Sequence, residues 1–299
     1  MEKLYDKFCT YLKTRKKVSS NTLQSYRHDI YHFIVFTRSA GITEISQIDG
    51  KLIEKFLKAL KRDKLSDATI SRNLSCIRTF FKYLVTSKKI TFDPTIGIKI
   101  GKASKKLPSI MTSDEVEALL MQPDTITPKG KRDKAMLEVM YATGMQVSEL
   151  IALNTYDVNL DVGYIITAQN TKKERMVPLY PLAVKALHDY LEFGRPSFFK
   201  DETPSDGLFL NINGQTMTRQ GFWKIIKAYT KSANIQKEIT PTTLRHSLAT
   251  HLLKNGADLK TLKDMLGHTT LTSTKMYTKL LKQEYMSVYE HCHPRAKVK

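Results

Sequence analysis

The sequence predicts a mainly α-helical protein of two domains, with a small β-sheet in the second domain only. Apolar residues recur at helical spacing through most of the 299 residues, as at Leu74 and Ile77. Strand-like alternation is confined to two short runs, at 163–167 and 175–179. A segment rich in Pro, Gly and Lys, without hydrophobic periodicity, occupies residues 94–108 and indicates a linker between the two domains.

The first domain, residues 1–93, is predicted to be a bundle of four helices. Capping residues and helix-ending glycines set the boundaries of these helices, and each helix has one apolar face. The predicted helices in order are 1–17, a second that starts at the capping residues 19–22 and ends at Gly41, 51–62 and 67–85.

The second domain, residues 109–299, is predicted to be helical around the two short strands. Its first helix starts at the capping sequence 112–115, and Gly256 and Gly267 end two of the later helices. The other predicted elements in order are a helix at 130–142 with one apolar face, a helix at 147–153, the strands at 163–167 and 175–179, helices at 181–193, 218–232, 240–253 and 258–266, and a tail helix beyond Tyr277.

Positive charge is concentrated in the first third of the chain. The net charge is +19, and residues 1–107 hold 23 basic and 9 acidic residues, against 25 and 20 in residues 108–299. Such a surplus points to a polyanionic partner, of which nucleic acid is the usual one.

Two groups of cations are candidates for contact with phosphates. One is a row on the exposed side of the fourth helix, for which a merely solvated face is the alternative interpretation. Replacing Arg78 by alanine is expected to weaken binding to DNA with little change in the thermal midpoint. The helix row consists of Arg72, Arg78 and Lys82, and the linker group of Lys102, Lys105 and Lys106.

Motifs near the C-terminus carry a specific resemblance. They are Leu244-Arg245-His246-Ser247, Ala249-Thr250-His251-Leu252-Leu253, Leu266-Gly267-His268 and Tyr277-Thr278. In type and order they resemble the tyrosine recombinases, specifically the Xer and phage-integrase branch, and the likeness extends over essentially the whole chain. It implies a helical core-binding domain that clamps one side of duplex DNA, followed by a mixed α/β catalytic domain.

The same resemblance assigns roles to individual positions. The nucleophile, the second catalytic arginine and the second histidine are kept, as Tyr277, Arg245 and His268. Three other catalytic positions are substituted, by Gln146 for the first arginine, Asn170 for the lysine and Thr242 for the first histidine. Lys172 is the candidate replacement for that lysine, with Lys173 as its alternative.

Two functions follow from this mapping. The first is site-specific cutting and rejoining of DNA through a 3′-phosphotyrosyl intermediate, with impaired activity. The second is a non-catalytic DNA-binding regulator or inert partner on the same scaffold. A type IB topoisomerase shares the chemistry, but the first domain resembles that of the recombinases.

The expected partners are double-stranded DNA and, through the tail helix, a second copy or a related recombinase. No cofactor or metal is expected, because the phosphotyrosyl chemistry requires none and Cys9, Cys76 and Cys292 lack metal-ligand spacing. We expect a cytoplasmic protein without membrane contact, since no apolar run approaches about 20 residues and the N-terminus lacks a signal-peptide core.

Overall fold

The computed structural model describes residues 1–99, 108–169, 171, 174–200, 205–278 and 280–281. The chain divides into two compact units, residues 1–106 and 107–299. In the described part of the chain no helix is both long enough and apolar enough to cross a membrane.

The first unit consists of four α-helices: α1 (Glu2–Thr14), α2 (Ser20–Ser39), α3 (Gly50–Arg62) and α4 (Asp67–Thr86). Side-chain caps fix where three of them begin. Ser19, Asp49 and Ser66 each accept a hydrogen bond from the backbone N–H three residues further on. These bonds satisfy N–H groups that have no partner within the helix.

Aromatic side chains dominate the core of the first unit. The rings of Phe8 and Phe80 meet edge to face at 5.0 Å, and those of Phe33 and Phe56 at 5.2 Å. The predicted inward face of α4 is confirmed by burial. Its members are Ile70, Leu74, Ile77, Phe81 and Leu84, each at most 4% exposed.

Residues 93–98, where the predicted linker begins, pack against the first unit. Asp93 accepts hydrogen bonds from the backbone and the hydroxyl of Thr95, and Ile98 is buried in the aromatic core. Arg78 of α4 donates a hydrogen bond to the carbonyl of Ile98. The linker lysines Lys102, Lys105 and Lys106 lie outside the described residues.

The second unit contains helices α5 (Ser113–Leu120), α6 (Pro128–Thr143), α7 (Val147–Leu150), α8 (Pro181–Asp189), α9 (Arg219–Ser232), α10 (Pro241–Lys254) and α11 (Leu259–Leu266). Residues 271–278 are also helical. Its sheet has the order β1-β2-β3, formed by antiparallel strands β1 (Val158–Asn159), β2 (Tyr164–Thr167) and β3 (Arg175–Pro178). The predicted fold class, mainly α with a small sheet in the second domain, is confirmed.

Helix α6 lies at the centre of the second unit. The sequence suggested a single apolar face, but Leu137 and Ala142 are buried as well, because α8 and α10 both pack on this helix. Its buried charges are paired: Arg132 donates to Asp133 at 2.6 and 2.9 Å. The C-terminal end of α6, at Gly144, forms one wall of the candidate site.

Candidate active site

Helix α10 positions the central cation of the site. The hydroxyl of Thr240 accepts a hydrogen bond from the N–H of Thr243 (3.1 Å), and Pro241 occupies the first helical position, where its missing N–H costs nothing. This start places Arg245 in the second turn, where its side chain is buried against α6 and α11. Arg245 is 7% exposed.

Two helix C-termini hold the guanidinium of Arg245. It donates to the carbonyl of Gly144, at the end of α6 (2.5 Å), and to that of Leu266, the last residue of α11 (2.8 Å). Carbonyls at a helix C-terminus carry partial negative charge and favour a cation. Burial lowers the pKa of Arg245, while Tyr277 and Glu149 act in the opposite direction, and an arginine remains charged in such a setting.

Glycines allow these two helix ends to approach Arg245. Gly144 and Gly267 both have left-handed backbones, with φ of 56° and 66°. A Cβ at Gly144 would lie 2.7 Å from Leu266, and one at Gly267 would lie 2.8 Å from the guanidinium of Arg175. Any side chain at either position would therefore displace part of the site.

A buried ion pair lies beside this cation and was not predicted from the sequence. Arg175 of β3 donates to both carboxylate oxygens of Glu149 in α7, and its Nε donates to the carbonyl of Met265 at 2.7 Å. Glu149 also accepts from the N–H of Gln146 at 2.7 Å. Burial raises the pKa of Glu149, but the bonds from Arg175 and Gln146 outweigh burial and hold it below its usual range.

Tyr277 is in contact with two histidines. Its hydroxyl lies 2.9 Å from Nδ1 of His246, and its ring is nearly parallel to that of His268, with centroids 6.4 Å apart. His268 is held in turn by Thr274, whose hydroxyl lies 2.9 Å from its Nδ1. Tyr277 is 1% exposed, so its hydroxyl is shielded from water.

In the cluster of Tyr277, His246, His268 and Arg245, only Arg245 carries a charge at neutral pH. Burial raises the pKa of Tyr277, although Arg245 opposes the shift. Burial, and then the charge of Arg245, lowers the pKa of His246 and lowers that of His268 to about 4. At neutral pH the cluster therefore contains an un-ionised phenol, two uncharged imidazoles and one guanidinium.

A cavity of about 450 Å³ opens beside this cluster. Its polar lining includes Gln146 from the start of α7, Thr242 and Arg245 from α10, and His268 after α11. Arg219, the first residue of α9, adds a second positive charge to the lining. A cavity with two guanidinium groups suits an anion with several oxygens, such as a phosphodiester.

Family sequence models match both parts of the chain. The phage integrase family matches residues 109–284, and the N-terminal SAM-like domain of phage integrases matches residues 5–88. Proteins described as tyrosine recombinase XerD from Listeria innocua and Staphylococcus aureus are each 41% identical, over 99% of this chain and 100% of theirs. The chain belongs to the phage integrase family.

Comparison with solved structures agrees with membership of the phage integrase family. The XerH site-specific recombinase, in a post-cleavage complex with palindromic difH substrate, aligns with a TM-score of 0.76. The alignment covers 96% of this chain and 84% of that one at 22% identity. At this identity the likeness shows that the two chains share a fold.

The structure brings together four of the positions that the family resemblance named. Gln146, Thr242, Arg245 and His268 line the same cavity. Tyr277 is buried next to that group, in contact with His246, and does not line the cavity. Asn170, Lys172 and Lys173 lie outside the described residues.

Sequence reasoning missed several residues of this site. His246 directly follows Arg245 and lies on the same helix as Thr242, one turn further on, which is the signal that could have identified it. The pair Arg175 and Glu149 gave no such signal, because the two residues belong to different elements. Arg219 of α9 was not predicted from the sequence either.

The cations of α4 have unequal surroundings in the first unit. Arg72 lies 3.2 Å from the carboxylate of Asp29, which is 1% exposed, and Arg78 is bonded to the carbonyl of Ile98. Lys82 is exposed. All three positions remain predicted DNA contacts, and the first two also hold the fold of their unit together.

Proposed function

We propose that this phage integrase family member is a site-specific DNA recombinase that binds duplex DNA and cuts and rejoins it slowly through Tyr277. The observation that carries the proposal is the contact of the Tyr277 cluster with Arg245, which also lines the cavity of about 450 Å³. The names of the recombinase relatives support the same activity.

The proposed reaction transfers a phosphodiester bond to the tyrosine. The hydroxyl oxygen of Tyr277 attacks phosphorus, a 3′-phosphotyrosyl bond forms, and the 5′ oxygen leaves; reversal by another 5′ hydroxyl rejoins the strand. Arg245 stabilises the negative charge that grows on the non-bridging oxygens. Its position is set beforehand by the carbonyls of Gly144 and Leu266, so little reorganisation is needed.

The same geometry explains why the reaction is expected to be slow. Gln146 and Thr242 line the cavity with amide and hydroxyl groups where the family resemblance implies a guanidinium and an imidazole. Loss of one oxyanion donor typically lowers a rate by about 10²–10³. Tyr277 is also fully buried, so its hydroxyl must become accessible before it can reach a phosphate in the cavity.

A suicide-substrate assay tests the catalytic part of the proposal. A duplex selected by the protein from a random library would carry a nick close to the cleavage point, so that the short released strand diffuses away and the adduct accumulates. We expect a slow covalent adduct that maps to Tyr277 and is absent from Tyr277→Phe. An adduct at another residue would overturn the assignment.

Salt dependence tests the binding part. The positive surplus of residues 1–107 and the cations Arg72, Arg78 and Lys82 support contact with several phosphates. The logarithm of the binding constant should then fall linearly with the logarithm of salt concentration, with a slope of about −0.9 for each phosphate contacted. A flat response would contradict binding through this basic surface.

The second candidate is an inert DNA-binding partner on the same scaffold. The uncharged lining at Gln146 and Thr242 and the burial of Tyr277 favour it. In this role the protein would join a second copy or a related recombinase on DNA through the tail beyond Tyr277, most of which lies outside the described residues. Tight and specific binding without any adduct would support this alternative.

A further inference from the structure

We propose that His246 is a further catalytic residue, which accepts the proton of the Tyr277 hydroxyl as that oxygen attacks phosphorus. The inference rests on the proposed strand cleavage and names a base for it. Its geometric basis is direct. Nδ1 of His246 lies 2.9 Å from the hydroxyl oxygen of Tyr277, within the hydrogen-bond reach required of a general base.

The protonation states leave His246 free to accept a proton from Tyr277. The pKa of Tyr277 is raised, chiefly by burial, so the phenol keeps its proton at neutral pH. The pKa of His246 is lowered by burial and by Arg245, so the imidazole is uncharged and one ring nitrogen is bare. The proposed step uses the tautomer with the imidazole proton on Nε2, in which Tyr277 donates and Nδ1 of His246 accepts.

The position of His246 on α10 lets it supply an imidazole that Thr242 cannot. The two residues are four apart, so they share one face of the helix. Thr242 is exposed and lines the cavity, whereas His246 is half-buried beside the nucleophile. The threonine hydroxyl is too weakly basic to take a proton from a phenol near neutral pH.

The proposed step balances in atoms and charge. The proton of Tyr277 passes to Nδ1 of His246, the bond from Tyr277 oxygen to phosphorus forms, and the bond from phosphorus to the 5′ oxygen breaks. The departing 5′ oxygen takes a proton from water, and His246 returns its own proton to water. Because burial makes the phenol less acidic and the imidazole less basic, proton transfer is expected to accompany attack.

Two substitutions separate positioning from proton transfer. Asparagine at 246 can accept the hydrogen bond from Tyr277 but is not basic, and phenylalanine can do neither. Both are made in a Gln146→Arg, Asn170→Lys background, which strengthens the phosphate site and leaves Thr242 unchanged. The initial rate of adduct formation is measured on the nicked duplex.

We expect His246→Asn and His246→Phe to lower the rate by about 10²-fold or more, the usual range for a general base. The matched control is His251→Asn, which removes a second histidine of α10 whose Nδ1 lies 2.8 Å from the hydroxyl of Tyr141. It should leave the rate within about twofold. Thermal midpoints are recorded for all variants, so that a loss through unfolding is recognised.

The pH dependence provides a readout that a merely structural role would not produce. Among the described residues, the titratable and charged groups around His246 are Tyr277, Arg245 and His268. With His246 present, the rate should fall on the acid side as the imidazole becomes protonated. His246→Asn should lose that fall, and any acid limb that remains belongs to His268.

The outcomes distinguish the inference from the proposed function. If the background protein forms adduct and both His246 variants match it, His246 is not the base and the inference is wrong. If His246→Asn is as fast as the background while His246→Phe is slow, the residue only positions Tyr277. If every protein binds the duplex and none forms adduct, strand cleavage itself is wrong, and the role of His246 is overturned with it.

Discussion

Arg175 donates to both carboxylate oxygens of Glu149, at 2.9 and 3.0 Å, and this ion pair joins strand β3 to helix α7. The two side chains are 10% and 13% exposed, so the pair is largely removed from water. The same carboxylate accepts from the N–H of Gln146, which lines the cavity. The ion pair therefore supports the wall of the candidate active site.

Removing the charge of Glu149 is expected to destabilise the second unit. Glu149→Gln removes the carboxylate charge that faces the guanidinium of Arg175, and breaking a largely buried pair in this way costs about 3–5 kcal/mol. Because the pair retains some exposure, we expect about 3 kcal/mol in chemical denaturation. The control is Lys237→Ala, which removes the exposed pair with Glu115 and should cost less than about 1 kcal/mol.

The contribution of Glu149 should also depend on pH in a defined direction. Its pKa is lowered below the usual 4.5 in the folded protein, so the ion pair stabilises the fold fully above the pKa of the unfolded chain. Stabilisation is lost as pH falls through the lower, folded value. The difference in unfolding free energy between the parent and Glu149→Gln should therefore be constant near neutral pH and shrink below about pH 4.5.

Gly267→Ala should destabilise the site more than a matched glycine substitution. Both Gly267 and Gly256 have positive φ, so alanine is strained at either position. At Gly267 the added Cβ lies 2.8 Å from the guanidinium of Arg175, whereas a Cβ at Gly256 meets no atom of the described residues within 4 Å beyond its chain neighbours. We expect Gly267→Ala to cost about 1–2 kcal/mol beyond Gly256→Ala; equal costs would mean that Arg175 moves away freely.

Arg78→Ala and Lys82→Ala should separate stability from DNA binding in the first unit. Arg78 donates to the Ile98 carbonyl, so its loss is expected to cost about 1–2 kcal/mol. This revises the sequence-based expectation of an unchanged thermal midpoint. Lys82 is exposed, and its loss should change stability by less than about 0.5 kcal/mol.

Both substitutions should weaken binding to the selected duplex, and each should lower the salt slope by about 1 if that side chain contacts one phosphate. Titrations at several salt concentrations measure this slope. An unchanged slope for Lys82→Ala would show that this part of α4 faces only solvent.

Periodicity made the helical framework predictable, because burying one face of a helix constrains every third or fourth residue. The inward face of α4 follows this pattern from Ile70 to Leu84. Strand β1 was missed because two residues are too few to show alternation. The all-round burial of α6 was missed because it depends on how many neighbours pack on the helix, which its own sequence does not record.

The candidate site likewise contains some features that could be predicted from the sequence and others that could not. The positions of Arg245 and His268 were predictable because the family motifs occupy consecutive elements at the end of the chain. The contact between His246 and Tyr277 was not, since it joins residues 31 positions apart, with helix α11 between them in the chain. The same holds for the two carbonyls that bind Arg245, whose roles come from helix ends and not from side chains.

Restoring the family's residues should reveal how far the site has lost activity. Gln146→Arg and Thr242→His would return a guanidinium and an imidazole to the cavity lining, and Asn170→Lys would return a proton donor for the 5′ oxygen. Loss of one such group typically lowers the rate by about 10²–10³, but the effects of groups that act together are not additive. We therefore expect the triple variant to form adduct at least about 10²-fold faster than the parent.

The control for this gain is Tyr277→Phe in the triple variant, which should abolish the adduct because no other nucleophile occupies that position. If the parent already cleaves as fast as the triple variant, other side chains supply the missing groups, with Lys172 the first to test by alanine substitution. If neither protein cleaves, the deficit extends beyond these three positions. The burial of Tyr277 would then be the next feature to change, because a hydroxyl on a side chain that is 1% exposed must become accessible before it can reach a phosphate in the cavity.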